Sequence, residues 1–220
     1  MTKSNDICGG VWVFGDYRNY FENRVTLQLI AKGRALAEKM NCEVAVTVLG
    51  DDVNQFAMEY VAHGAHIVLV GEHPDLKDYS VDAYTDILSD WVRFFKPRVF
   101  LAGATTFGRE FFPRLAKRLR TGLSADCVGL EIDESSGLLI QTTPAWGGEL
   151  LADVIAPERR PQMATVHPGV FNELPHDRAA SGRIIYPQID RVPEARIQII
   201  RSRRQKPGEI KLEDSQVVVA

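Results

Sequence analysis

Three stretches of the chain hold residues whose types and spacing could do chemistry. Gly103-Ala-Thr-Thr-Phe-Gly-Arg109 is a small-residue turn feeding a helical pattern. The free backbone N–H groups and the dipole of a helix start there could hold an anion, as at a nucleotide site. Ordinary capping by Thr105 or Thr106 explains the same residues equally well. The second stretch is Thr143-Pro-Ala-Trp-Gly-Gly148-Glu149. Its adjacent glycines let backbone approach another surface, and Trp146 offers a flat apolar face to a ring or a partner protein. A tight hairpin with a core tryptophan is the reading that physics alone favours. The third, Arg159-Arg-Pro-Gln-Met-Ala-Thr-Val-His-Pro-Gly169-Val-Phe171, is a strand pattern ending in His167.

Other chemistries lack their residues. The loop Gly15-Asp16-Tyr17-Arg18-Asn19-Tyr20 has neither GxGxxG nor a P-loop. His63, His66, His73, His167 and His176 form no HExxH, and Cys8, Cys42 and Cys127 form no CxxC, so no metal ligand set is expected. His73, in a loop before a proline, reads as a surface histidine, and His63 and His66 flank a turn at a helix end. Cys127 reads as a buried structural thiol rather than a nucleophile. No GxSxG occurs, which weakens hydrolase readings, and no catalytic residue is assigned.

The elements that must position these stretches follow from apolar patterning. Short β-branched runs alternate with amphipathic helical patterns through the first two-thirds, the signature of stacked β-α-β units. Strands are expected at residues 10–15, 43–49, 65–71 and 98–103. One helix carries Leu29, Ile30, Gly33, Leu36, Ala37 and Met40 on a single stripe. A shorter one spans 53–62, capped by Asp51 or Asp52. A third starts at Ser80 and stops at Lys96-Pro97. A fourth carries Phe112, Leu115, Ala116 and Leu119 and ends near Gly122, with Pro113 either in its first turn or kinking it. Beyond Thr121 the pattern changes to strands at 127–133, 137–142, 151–155 and 162–167, with short candidates at 183–186 and 195–201. The expected fold class is α/β: a Rossmann-like open parallel sheet flanked by helices, with additional antiparallel strands in the C-terminal third. Residues 1–200 would form one domain, 201–211 a basic linker, and 212–220 the opening strand of a further domain.

Composition narrows the function classes. Hydrophobic residues make up 45% and charged residues 25%, values of an ordinary globular chain. The formal charge of −3 gives no electrostatic case for nucleic acid. No apolar run approaches the roughly 20 residues that span a bilayer, so no membrane insertion is expected. With no apolar leader after Met1 and an odd, scattered set of cysteines, the expected setting is the cytoplasm.

Four ordered motifs then carry a resemblance: Gly103 to Arg109, Thr121-Gly-Leu-Ser-Ala-Asp-Cys-Val-Gly-Leu-Glu-Ile-Asp133, Thr143 to Gly148, and Arg160 to Gly169. Together they resemble the α subunit of electron-transfer flavoproteins. The tail Leu212 to Ala220 is similar to the first strand of that family's C-terminal FAD domain. The resemblance implies a heterodimer with a β subunit, shuttling electrons through FAD between an acyl-CoA-type dehydrogenase and an acceptor, and in some members splitting electron pairs from NADH. The flavin would sit mainly in the C-terminal domain or the β subunit, which also holds AMP or a second FAD. Carried over by position, Trp146, Gly147, Gly148 and His167 would face the β subunit and its flavin. Thr143, Glu149 and His167 depart from the arginine, asparagine and arginine usual in the family. An arginine lost is a bidentate cation lost, although histidine keeps a pH-dependent charge. Two rival readings stand beside this one: a free-standing nucleotide-binding α/β enzyme using the Gly103 turn, and a structural adaptor recruiting a partner through Trp146.

Overall fold

A computed structural model describes residues 10–193 and the isolated positions 197, 200 and 217, with only the backbone of residues 20–22. Apart from those isolated positions, the expected strand at 195–201, the linker at 201–211 and the strand at 212–220 lie outside the described residues. The chain runs β1 (Val11–Phe14), α1 (Tyr20–Lys39), β2 (Val44–Gly50), α2 (Asn54–Ala62), β3 (Ile67–Glu72), α3 (Val81–Phe95), β4 (Val99–Gly103) and α4 (Thr106–Leu119). It continues through β5 (Leu123–Cys127), β6 (Gly129–Ile132), β7 (Leu139–Ala145), β8 (Leu150–Val154), β9 (Gln162–Val166) and β10 (Arg183–Ile185).

Seven strands form one sheet in the order β10-β3-β2-β1-β4-β9-β5, and every neighbouring pair is parallel. A central strand covered on both faces must be apolar throughout, which is why Val-Trp-Val-Phe serves as β1. Its side chains alternate between two cores. Val11 and Val13 join the Leu29, Ile30 and Leu36 face of α1, while Trp12 and Phe14 join Tyr84, Leu88 and Phe111 from α3 and α4. Burying each such side chain contributes about 1.5–3 kcal/mol, so the doubled core is the main source of stability.

The additional antiparallel strands expected in the C-terminal third are present, set apart from the main sheet. β6, β7 and β8 form a separate three-stranded sheet. Leu130, Ile132 and Leu139 pack it onto the α1 side of the core, and the buried Gln162 side chain accepts from the Leu139 N–H at 3.0 Å. The strand expected at 127–133 is β6, at Gly129–Ile132, and the chain has a further strand before it, β5, which ends at Cys127 on the main sheet before pairing with β7 starts at Gly129.

Helix ends follow local chemistry with two exceptions. Ser80 accepts from Ala83 N–H and caps α3 as expected, and Lys96 ends the helix in a left-handed conformation (φ 53°). α2 instead starts at Val53 with no side-chain cap, so neither Asp51 nor Asp52 does that work. Pro113 lies in the middle of α4 rather than in its first turn. It is tolerated on the exposed face, where the ring displaces one backbone hydrogen bond but no core contact.

Candidate functional site

In an open parallel sheet ligands bind beyond the strand C-termini where the strand order reverses, here between β1 and β4. The chain fills that crevice with its own residues. Thr105 is the N-cap of α4, accepting from Gly108 N–H at 3.1 Å, while its hydroxyl donates to Asp16 Oδ2 at 3.1 Å. Gly108 is required here: a Cβ would fall 1.9 Å from the Gly103 carbonyl oxygen. Asp16, only 4% exposed, thus places a carboxylate at the helix start that would otherwise receive a ligand anion. Its backbone N–H donates to Thr26 Oγ1 at 2.9 Å, and its Oδ1 accepts from Arg18 Nε at 2.8 Å.

Arg18 completes the plug. Its guanidinium lies 3.3 Å from the Phe107 ring centre and 4.7 Å from that of Tyr79, with Tyr84 and Phe14 behind. The two Nη groups are buried over these rings and have no hydrogen-bond acceptor among the described residues. Burial pushes the Tyr84 phenol well above its usual range, so it stays protonated and donates to the Leu49 carbonyl at 2.8 Å. An internal anion–cation pair on an aromatic box thus sits at the start of α4, beyond the end of β1. At the Gly103 turn the capping by Thr105 is observed.

The sequence passed over Asp16, Arg18 and Asp126. A carboxylate and a guanidinium two residues apart just after the first strand were the only available signal, and no glycine fingerprint drew attention to them.

The other predicted residues fall in two places. Trp146, Gly147 and Gly148 form the turn between β7 and β8, with Gly147 and Gly148 at φ 68° and 94° as the tight reversal demands. The hairpin is as expected; the core tryptophan is not. Trp146 is 82% exposed, every residue of β8 is exposed, and Leu150 and Leu151 are among the most open apolar side chains described. His167 belongs to the other sheet, directly after β9. Its Nδ1 lies 3.1 Å from Asp126 Oδ1, and Arg109 Nη2 lies 3.2 Å from the same oxygen. Asp126, at φ 58°, is fixed by its N–H donating to Thr165 Oγ1 at 3.0 Å. The turn of the first motif, the strand of the second and the strand of the fourth thus meet at one surface cluster.

The remaining candidates are structural. Cys127 is fully buried, and burial with Asp126 nearby pushes its thiol up to about 12, which leaves it inert. His73 accepts from Asp75 N–H at a short 3-10 turn, His66 Nδ1 accepts from Val44 N–H, and His63 Nδ1 lies 3.0 Å from the Leu174 carbonyl oxygen. Among the described residues no cluster suited to a metal ion occurs and no helix is long and apolar enough to cross a membrane.

Residues 11–190 match the electron transfer flavoprotein domain, nearly the whole of the described fold. The chain belongs to the electron transfer flavoprotein family. It is 36% identical over 211 residues to an electron transfer flavoprotein subunit alpha of Thermoanaerobacterium thermosaccharolyticum, covering 96% of this chain and 64% of that protein. It is 42% identical over 166 residues to a subunit of the same name from Clostridium acetobutylicum, covering 76% of this chain and 49% of the relative. Subunit LctC of a lactate dehydrogenase (NAD(+),ferredoxin) from Acetobacterium woodii is 37% identical over 162 residues, covering 74% of this chain and 38% of that one. The chain therefore spans between 38% and 64% of the length of these relatives.

Proposed function

We propose that this chain is the N-terminal domain of an electron transfer flavoprotein α subunit, docking on a β subunit so that FAD can pass electrons from an acyl-CoA-type dehydrogenase to an acceptor. The single observation that carries this reading is the unpartnered hairpin: a tryptophan 82% exposed beside two glycines at its turn, leading into a strand with no buried residue. Exposed contiguous apolar surface of this kind marks an interaction site. In this reading the hairpin and the His167, Asp126 and Arg109 cluster face the β subunit.

The flavin supplies the redox chemistry when bound, and this domain supplies surface and charge. The plugged crevice supports a division of labour in which the flavin is held elsewhere, in a following FAD domain beginning near residue 212 or in the β subunit, which would also take AMP or a second FAD. The relative from A. woodii, named for both NAD(+) and ferredoxin, favours the version with two flavins.

The test is the visible spectrum of the natural protein purified with the chain that accompanies it. Flavin bands from a heterodimer support the reading, and two flavins per heterodimer support the electron-splitting version. A colourless monomer that refuses added FAD overturns it. Trp146→Ser is expected to leave the fold intact and weaken association with the accompanying chain at least tenfold, read by analytical ultracentrifugation.

A further inference from the structure

At the opposite end of the main sheet, α3 and α4 both finish beside the turn that precedes β9, and a cleft of about 630 Å³ opens between them. Five cations line it: Arg93, Lys96, Arg118, Arg120 and Arg160. Leu119 and Pro161 contribute apolar surface, and no acidic side chain is among the lining residues. Arg93 is paired with Asp90 and Arg118 with Asp86, while Arg160 reaches only backbone carbonyls. Two helix C-termini carry about one negative charge between them, so Lys96, Arg120 and Arg160 leave the cleft net positive.

The backbone adds a second, independent observation. Lys96 and Arg120 are the C-caps of α3 and α4, and both are left-handed, at φ 53° and 57°. Glycine is favoured at such positions. Both helices instead set a long cation there, and the two converge on one cleft. A role confined to capping would be served better by glycine.

We propose that this cleft binds a phosphorylated small molecule of nucleotide size, its phosphates on the cationic rim and its remaining body against Leu119 and Pro161. The volume falls within the range of small-molecule sites, and guanidinium groups match phosphate geometry. The site is separate from the plugged crevice and does not depend on the electron-transfer reading.

The test is calorimetric titration of the natural protein with ADP at low salt, beside Lys96→Gly/Arg120→Gly and Lys96→Gln/Arg120→Gln double variants. The glycine pair removes both charges while relieving the backbone, and the glutamine pair keeps the bulk. Both are expected to weaken ADP at least tenfold, with the glycine pair melting no lower than the natural protein. Absence of ADP binding, or binding equal in both variants, overturns the site. Inorganic pyrophosphate binding as tightly as ADP removes the role of the apolar surface. A polyglutamate peptide binding where ADP does not would replace the small molecule with an acidic partner chain.

Discussion

Asp16 and Arg18 form an ion pair that closes the start of α4 from within the chain. A carboxylate 4% exposed is tolerable only because Thr105, Arg18 and the α4 N-terminus all favour its charge. Asp16→Asn should cost about 3 kcal/mol, since it leaves the Arg18 cation unpaired over its aromatic box. Urea unfolding measures this, and an unchanged midpoint would refute it. Cys127 gives a second residue-scale prediction. With its thiol near 12, iodoacetamide at pH 8 should label Cys127 only after unfolding, as followed by peptide mass spectrometry. The sign of the pH effect follows from the same shift. The folded thiol keeps its proton while the unfolded one loses it from about pH 8.5, so the contribution is whole below that and declines as pH rises toward 12. Cys127→Ala should flatten this alkaline decline by at most about 1.4 kcal/mol per pH unit.

At the scale of elements, α4 carries both a strong start and a weak middle. Thr105→Ala removes the cap and the bond to Asp16, an expected loss of about 2 kcal/mol in chemical denaturation. Pro113→Ala should instead raise stability by about 2 kcal/mol, because an exposed mid-helix proline forfeits a backbone bond without serving the core. Elements defined by local chemistry were legible from the residues alone: α3 from Ser80 to Lys96-Pro97, and β1 from its unbroken apolar run. What escaped was decided by tertiary contacts. The strand at 127–133 was legible as β6, and only the partner strands reveal β5 before it, ending at Cys127 on the main sheet. The turn at Trp146 was legible from Gly147 and Gly148, but nothing local distinguishes a tryptophan facing a core from one facing outward. The Asp126, His167 and Arg109 cluster depends on β5 and β9 being neighbours, which no spacing along the chain discloses.

For the whole molecule, the contrast among its tryptophans is a direct probe. Trp12 and Trp91 are buried and Trp146 is open. Acrylamide should quench one emitting component of the free chain, Trp146→Phe should abolish that component, and an accompanying chain seated on the hairpin should protect it. Quenching that persists in the variant would place the accessible ring elsewhere. The sheet order also governs the timing of assembly. β5 is synthesised before β9 yet sits outside it, and among the described strands β10 reaches the β3 edge only after all the others have been made. A chain emerging from the ribosome therefore carries β4 with a bare edge and β5 with no seat until residue 166 is available. Both flanks are sealed by segments distant in sequence, the arrangement that slows folding and prolongs exposure of sticky edges. Nascent chains halted before β9 should be held by chaperones and cut by proteases at β5, whereas those extended past β10 should resist both.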